Sequence, residues 1–176
     1  MRTHTLERLA AWDRVLCRRF NRASEFAALR IVFVAASRLG NGIFWYALMG
    51  ALLVWGGEHA LAAVAHMFGM GVACTAVYKG LKTGTSRKRP YAAQPGITLC
   101  AAPLDQYSFP SGHTLHATAL SLVVLAYYPG LFWLLVPFSV LVALSRVVLG
   151  LHYPSDVLAG AAIGATLAGA SAWLVF

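Results

Sequence analysis

Charged side chains are scarce in this sequence of 176 residues. They make up 11% of it, against roughly a quarter in a typical soluble domain. Only six residues are acidic, which leaves a formal net charge of +8. This shortage argues against a water-soluble globular protein. It also means that each charged residue in an apolar region has to be explained.

Cysteine is rare as well, and its pattern excludes two common frameworks of small domains. Cys17, Cys74 and Cys100 are odd in number and follow no CxxC or Cys/His spacing. We therefore expect neither a set of disulfides nor a zinc site. The N-terminus also lacks the apolar core of a cleavable signal peptide.

The basic residues are concentrated in residues 2–38 and 79–89, with Arg146 alone. Nucleic-acid binders spread their basic residues over a solvated face, whereas long uncharged runs separate these clusters. We therefore expect no nucleic-acid partner. Lipid head groups and a phosphate substrate explain the clusters better, because both are negative and lie at a membrane surface.

Apolar residues make up 59% of the sequence and fall in long runs. A membrane-spanning helix needs about 20 of them, or about 17 at the short end. Residues 26–39 contain Arg30 and Arg38, so this segment either spans the bilayer or only partly enters it. Five other segments are long enough or nearly so: residues 42–55, 59–78, 115–128, 131–149 and 157–176. The sequence predicts an all-α, polytopic membrane helix bundle with five or six transmembrane helices.

The N-terminal segment differs from the rest of the chain. Its apolar residues recur at near-helical spacing with arginines between them, which predicts an amphipathic helix on the membrane surface over residues 1–23. A disordered basic tail is the alternative. Residues 24–176 then form a single transmembrane domain, with a turn predicted at residues 40–42 from the sequence Gly-Asn-Gly.

Three polar stretches interrupt the apolar runs, and the first covers residues 82–90. It contains Lys82 and Arg89, the second followed by a proline. Such cations bind phosphate oxygens, and arginine does so through a planar fork. A basic run at a helix end is more often a solvated loop, so this stretch alone does not predict a site.

The second stretch, residues 110–114, opens an apolar helix. Ser111 is a predicted N-cap, and Gly112 leaves space around the first unpaired backbone N–H groups. The start of such a helix can bind an anion. His113 would lie within one turn of that anion.

The third stretch, residues 145–156, contains Arg146, His152 and Asp156. A carboxylate on one ring nitrogen of a histidine fixes the tautomer and makes the other nitrogen more nucleophilic. Charged residues at membrane depth are costly and indicate function. Together the three stretches supply what displacement at phosphorus needs: a nucleophile, charge stabilisation and an acid for the leaving oxygen.

The three stretches resemble the signature of the type 2 phosphatidic acid phosphatase (PAP2) superfamily. The patterns K-x6-R-P at residues 82–90, P-S-G-H at 110–113 and S-R-x5-H-x3-D at 145–156 match it in order and spacing. The resemblance implies a bacterial membrane lipid phosphatase.

The resemblance also implies a role for each matched residue. His152 would attack phosphorus to form a phosphohistidine while Asp156 orients it, and His113 would protonate the leaving oxygen and then activate water. No metal or other cofactor is needed in this scheme. The phosphate would be bound by Lys82, Arg89, Ser111, Gly112 and Arg146.

The implied substrate is a lipid phosphomonoester or pyrophosphate in the bilayer, with polyprenyl pyrophosphate, phosphatidic acid and phosphatidylglycerophosphate as leading choices. One alternative is a lipid phosphotransferase that uses the same site. Another is a non-catalytic membrane protein that binds head groups. Vanadium haloperoxidases and soluble acid phosphatases resemble the signature too, but they are soluble. The oligomeric state is left open.

Loop charge gives an expectation for the side that the site faces. Residues 56–59 and 127–131 contain no Lys or Arg, so the positive-inside rule favours a cytoplasmic N-terminus. Six spans then put the site outside, and five put it in the cytoplasm. We expect an inner-membrane protein whose site faces the periplasm or exterior.

Two smaller expectations concern aromatic and loop residues. Trp45, Trp55, Trp133 and Trp173 lie near predicted helix ends, as an interfacial aromatic belt would require. Asp105 and Tyr107 lie in the long polar loop, where a structural role is expected and a role in shaping the substrate entrance is the alternative.

Overall fold

The structure, a computed structural model, describes residues 2–175. The described part of the chain contains helices and no β-strand, which confirms the all-α prediction. The helices are α1 Arg2–Asn21, α2 Ala27–Arg38, α3 Phe44–Trp55, α4 Ala60–Thr85, α5 Pro90–Ala93, α6 Gly112–Tyr127, α7 Phe132–Val148 and α8 Pro154–Val175.

Four helical segments are long and apolar enough to cross a membrane: Ala27–Trp55, Gly57–Thr85, Pro129–Val148 and Pro154–Val175. Helix α6 is shorter, with 16 residues, and rises about 24 Å. It runs through the middle of the bundle between α4, α7 and α8. Because α6 joins the same two ends as its neighbours, the chain passes through the bundle five times.

The predicted turn at residues 40–42 is a kink inside one helical segment. A π-helical turn, Leu39–Ile43, joins α2 to α3, and Gly42 within it has φ of 120°, a conformation that glycine adopts without strain. Gly40 packs on α7, where an added Cβ would lie 2.9 Å from a methyl group of Val142. Helices α2 and α3 therefore form one segment of 29 residues. Four segments are thus long and apolar enough to span a membrane and α6 is a shorter fifth, so a span by residues 26–39 that is separate from residues 42–55 is not seen in the described part of the chain.

Helix α1 packs against the end of the bundle where α4 ends and where α6 and α8 begin. Its inward face is polar or small, because Asp13, Cys17 and Asn21 are buried at a spacing of four residues. Its apolar residues Leu9, Trp12, Val15 and Phe20 point outward with the arginines. The position of this outward face on a membrane surface stays a prediction.

Three of the four tryptophans predicted for an interfacial belt lie at the opposite end of the bundle and are highly exposed. Trp55, Trp133 and Trp173 expose 81%, 82% and 92% of their surface, as interfacial anchors do. The prediction for Trp45 is wrong. This side chain is 3% exposed and packs edge-on against Phe44 and Phe138, since it faces α7 in the core.

Helices α6 and α8 approach each other closely because α8 has glycines where they touch. A Cβ at Gly160 would lie 2.6 Å from the carbonyl oxygen of Ser111, and one at Gly164 would lie 2.5 Å from that of Leu115. Small residues allow such contact between membrane helices. This contact fixes the start of α6 beside the start of α8.

Gly164→Val is expected to lower the free energy of unfolding by roughly 1 to 3 kcal/mol, because its side chain would force α8 away from α6. Gly169→Val is the matched control, since a Cβ there meets nothing within 4 Å. Its cost is expected to stay within about 0.5 kcal/mol. Unfolding in detergent, followed by circular dichroism, measures both. Equal losses would contradict the close packing.

Candidate active site

The ends of α4, α6 and α7 on the α1 side surround a cavity of about 540 Å³. Most of the residues predicted for the site line this cavity, although they come from three separate stretches of the sequence. These residues are Lys82, Arg89, Gly112, His113, Arg146 and His152. Ser111 and Asp156 are fully buried and lie behind the cavity wall.

Ser111 is the N-cap of α6, as predicted. Its hydroxyl accepts a hydrogen bond from the backbone N–H of Thr114 at 3.5 Å. Its own backbone N–H donates to the carbonyl of Asp156 at 3.0 Å, which ties the start of α6 to the start of α8. Ser111 therefore holds the histidine-bearing end of α6 in place. Contact between its hydroxyl and a phosphate stays a prediction.

His152 lies in the turn between α7 and α8 and is 1% exposed. Its Nε2 lies 3.1 Å from Nη1 of Arg89, and the residue lines the cavity. A guanidinium can only donate, so Nε2 is the acceptor and carries the lone pair. The proton of the neutral ring is then on Nδ1, which lies 3.7 Å from Oδ2 of Asp156. That separation exceeds a hydrogen bond, and such catalytic contacts commonly tighten when substrate binds.

His152 is held in the neutral form. Burial, and then the positive charges of Arg146, Arg89 and Lys82, hold its pKa well below the ordinary value of 6.5. Nε2 therefore keeps its lone pair at neutral pH, and it can act as a nucleophile once the hydrogen bond from Arg89 is broken.

Arg146 is 2% exposed, and one of its nitrogens donates to the hydroxyl of Ser37 on α2. Its Nε has no hydrogen-bond partner among the described residues. An unpaired N–H in a buried guanidinium is costly. Arg146 lines the cavity, and contact of its guanidinium with an anion there stays a prediction. The sequence did not indicate that Ser37 supports it.

Asp105 is the counter-ion of the other two cations. Its carboxylate oxygens lie 2.7 and 2.6 Å from Nζ of Lys82, and Oδ1 lies 2.8 Å from Nη2 of Arg89. Burial raises the pKa of Asp105, but Lys82 and Arg89 outweigh burial and hold it below the usual 3.8. The ion pairs therefore stabilise the folded protein above that usual value, and the contribution is lost as pH falls through the lowered pKa. A residue expected to have a structural role thus neutralises part of the site.

Asp105→Asn is expected to raise the affinity of the site for inorganic phosphate by about tenfold, because Lys82 and Arg89 lose their internal counter-ion. Since Asp105 is already ionised above about pH 5, the gain should not depend on its own titration between about pH 5 and 8. Isothermal titration calorimetry in detergent measures it. Glu58→Gln, at an exposed acid on the opposite end, is the control. Weaker phosphate binding by Asp105→Asn would mean that Asp105 instead holds the cations in place.

A second ion-pair network lies behind His152 and was missed by sequence reasoning. Nη1 of Arg87 lies 2.5 Å from Oδ1 of Asp156, and Nη2 lies 2.8 Å from Oδ2 of Asp13. Two signals pointed to it. Arg87 lies inside the first basic stretch, and Asp13 is one of only six acidic residues in the chain.

The cavity also has an apolar part, which runs between α3 and α4 away from the cations. Tyr46, Phe68 and Val72 line it, and these side chains expose 71%, 65% and 58% of their surface on the outside of the bundle. The polar end can therefore bind a phosphate while the apolar end reaches the lipid-facing surface.

Comparisons with known sequences identify the family of this chain. A sequence model described as the PAP2 superfamily matches residues 60–176. A decaprenylphosphoryl-5-phosphoribose phosphatase of Mycobacterium tuberculosis is 40% identical over 91 residues, 49% of this chain and about half (47%) of its own length. An undecaprenyl-diphosphatase of Sulfolobus acidocaldarius is 29% identical over 144 residues, 80% of this chain and 68% of its own.

Two crystal structures share the fold. Aquifex aeolicus LpxE superposes with a TM-score of 0.78 at 26% identity, over 90% of this chain and 93% of its own. A PAP2-type phosphatidylglycerolphosphate phosphatase of Bacillus subtilis gives 0.71 at 23% identity, over 95% of this chain and 84% of its own. At this lower identity the likeness shows the fold alone.

Proposed function

The chain belongs to the PAP2 superfamily, and from that premise we propose that it is an integral membrane phosphatase that removes phosphate from a lipid. The observation that carries the proposal is the two-part cavity. One end combines three histidines with three cations, and the other is apolar and reaches the lipid-facing surface between α3 and α4. A phosphate on an acyl or prenyl tail matches both ends.

In the first step, Nε2 of His152 attacks phosphorus opposite the leaving oxygen. The bond from phosphorus to that oxygen breaks as His113 donates a proton to it, and a phosphohistidine forms. Lys82, Arg89 and Arg146, with the backbone amide of Gly112, stabilise the charge on the transferred group. Asp156 accepts a hydrogen bond from Nδ1 and stabilises the positive charge that develops on the ring.

In the second step, His113 takes a proton from water, and the water oxygen attacks phosphorus. The phosphorus–nitrogen bond breaks, which releases inorganic phosphate and restores His152. The three side-chain cations supply charge neutralisation that metal ions supply in many phosphoryl-transfer enzymes. We therefore propose that no metal is required.

The names of the curated relatives support a polyprenyl lipid as substrate, carrying either a phosphomonoester or a pyrophosphate. Phosphatidic acid and phosphatidylglycerophosphate follow as candidates. A phosphoryl transfer to a second lipid would share the first step. In that case the product would be a phosphorylated acceptor instead of inorganic phosphate.

The test is phosphate release by purified protein in detergent from these three lipid classes, with EDTA present and with and without acceptor lipids. We expect release from at least one lipid, inhibition by vanadate, and a much higher KM for a phosphomonoester that lacks a tail. Transfer only to acceptors would indicate a phosphotransferase. Phosphate binding without turnover of any lipid would indicate a head-group-binding protein and would contradict the proposal.

The five-span structure changes the expectation for the side of the membrane. Helix α1 packs against α7 and α8 beside the site, so its arginines and the site lie on one side. We propose that this side is cytoplasmic, because the positive-inside rule favours it. Cys100, the one partly exposed cysteine of the described chain, reports on this side. We expect a membrane-impermeant thiol reagent to label it only in broken cells. Labelling in intact cells would instead place the site outside, and Glu58→Cys serves as the probe for the opposite end.

A further inference from the structure

Helix α1 lies outside the region that matches the family, residues 60–176, yet it contacts the turn that carries His152. Oδ1 of Asp13 accepts a hydrogen bond from the backbone N–H of Ser155 at 3.0 Å. The hydroxyl of Ser155 donates to the other carboxylate oxygen. Asp13 is only 7% exposed. The carboxylate of Asp13 on the N-terminal helix is therefore hydrogen-bonded to the start of α8.

Arg87 connects this acid to Asp156. Its Nη1 donates to Oδ1 of Asp156 and to Ser155, and its Nη2 donates to Asp13. The guanidinium carbon of Arg87 lies 4.2 Å from the centre of the Tyr153 ring. This cation–π contact helps to hold the guanidinium in its orientation. Unlike Lys82, Arg87 does not line the cavity. Its charge is directed at the carboxylate behind the nucleophile.

The two carboxylate oxygens of Asp156 have different partners. Arg87 binds Oδ1, while Oδ2 accepts the backbone N–H of Tyr153 at 2.8 Å and faces Nδ1 of His152. Asp156 is fully buried. A buried carboxylate without a cation takes up a proton readily, and a protonated Asp156 is a poor acceptor for the proton on Nδ1.

We propose that Arg87 and Asp13 are positioning residues for the reaction: Arg87 keeps Asp156 ionised and turned toward His152, and Asp13 holds Arg87 in place. The N-terminal helix is then part of the catalytic unit. This inference rests on the proposed phosphatase function. Arg87 and Asp13 act through Asp156 and do not touch the phosphate.

Other groups around Asp156 do not replace Arg87. From α1 it faces Asp13 and Cys17, and from the turn before α8 it faces His152 and Tyr153. From the loop before α6 the hydroxyl of Ser108 also hydrogen-bonds to it, but this group carries no charge. Burial, together with Asp13 and Asp156, raises the pKa of Cys17 to about 12, so this thiol stays neutral. Arg87 is thus the cation paired with Asp156 in the described chain.

Arg87→Met is expected to lower kcat by about 10- to 100-fold while KM stays within about threefold. The acid limb of kcat against pH should move up by about one unit, since Asp156 then takes up a proton at higher pH. Asp13→Asn should produce both changes to a smaller extent. Arg87→Lys should recover part of kcat, because an ammonium can pair with Asp156 but cannot bridge to Asp13 as well.

Two controls separate this role from general support of the fold. Asn21→Ala removes bonds from α1 to Thr98 and Val148 without touching the network. It should lower the Tm but leave the acid limb in place. Lys88→Met removes one positive charge from the same loop and should leave both kcat and the acid limb unchanged. An acid limb that moves equally in Asn21→Ala and Arg87→Met would overturn the proposal.

A readout that needs no turnover keeps this inference separate from the proposed function. Nitrogen-15 NMR of the six histidines, with His152 assigned from His152→Ala, shows which ring nitrogen carries the proton. We expect a single Nδ1–H form in the wild type and a mixture in Arg87→Met. Unchanged spectra and wild-type kcat in Arg87→Met would defeat the inference, whereas an inactive wild type would defeat the proposed function alone.

Discussion

Phosphate release by His152→Ala is expected to fall by at least roughly 10⁴-fold, because loss of a nucleophile removes the covalent route altogether. The variant should still fold, since the hydrogen bond from the backbone N–H of His152 to Arg146 is kept. Single-turnover experiments with a radiolabelled lipid phosphate measure the loss. His59→Ala, at an exposed histidine on the opposite end of the bundle, should retain full activity.

The same experiment tests the covalent intermediate. Wild-type protein quenched during turnover should carry a phosphoryl group that is labile in acid and stable in base, as expected of a phosphoramidate. His152→Ala should carry none. Steady turnover by His152→Ala, or a label that survives acid, would rule out a phosphohistidine at this position.

His113→Asn has the second largest expected effect, a loss of about 10²- to 10⁴-fold in kcat. His113 lies at the start of α6 on the cavity wall, and the proposed mechanism uses it twice. A substrate with a good leaving group, such as p-nitrophenyl phosphate, needs no acid in the first step. The variant should therefore form the phosphoenzyme from this substrate and then accumulate it, because no base activates water.

The matched control is His116→Asn on the next turn of α6. His116 lines the same cavity, but its Nδ1 is hydrogen-bonded to the carbonyl of Gly112 at 2.8 Å and its Nε2 lies 3.2 Å from the hydroxyl of Thr75. A ring held this way is not free to shuttle a proton, so the loss should stay below about tenfold. If His116→Asn accumulates phosphoenzyme and His113→Asn does not, the two assignments must be exchanged.

The residues that line the cavity could be predicted because the signature fixes both residue type and spacing in a chain with few polar side chains. Lys82, Arg89, His113, Arg146 and His152 are separated by up to 70 residues, yet all face one cavity. The helices could also be predicted, because a long apolar run in a bilayer can form few structures other than a helix.

The parts that were not predicted depend on contacts distant in sequence. Nothing in a local window shows that Asp13 pairs with Arg87, or that Asp105 pairs with Lys82. The Gly-Asn-Gly sequence at residues 40–42 indicates a turn in water, but here the helix continues through a π-helical turn because Gly40 packs on α7. Trp45 is buried for a similar reason. It lies near a predicted helix end that the structure places inside a longer segment.

The exposed tryptophans and the site lie at opposite ends of the bundle, and the distance between these ends can be compared with the thickness of a bilayer. From Pro154 to Trp173 the α8 helix rises about 28 Å, close to the roughly 30 Å thickness of the hydrocarbon core. The proposed site would then lie at the depth of the head groups of one leaflet only. A lipid in that leaflet could present its phosphate without leaving the bilayer, whereas a lipid in the other leaflet would first have to flip. In a sealed vesicle with uniformly oriented protein, turnover would consume one leaflet quickly and then slow to the rate of transbilayer movement.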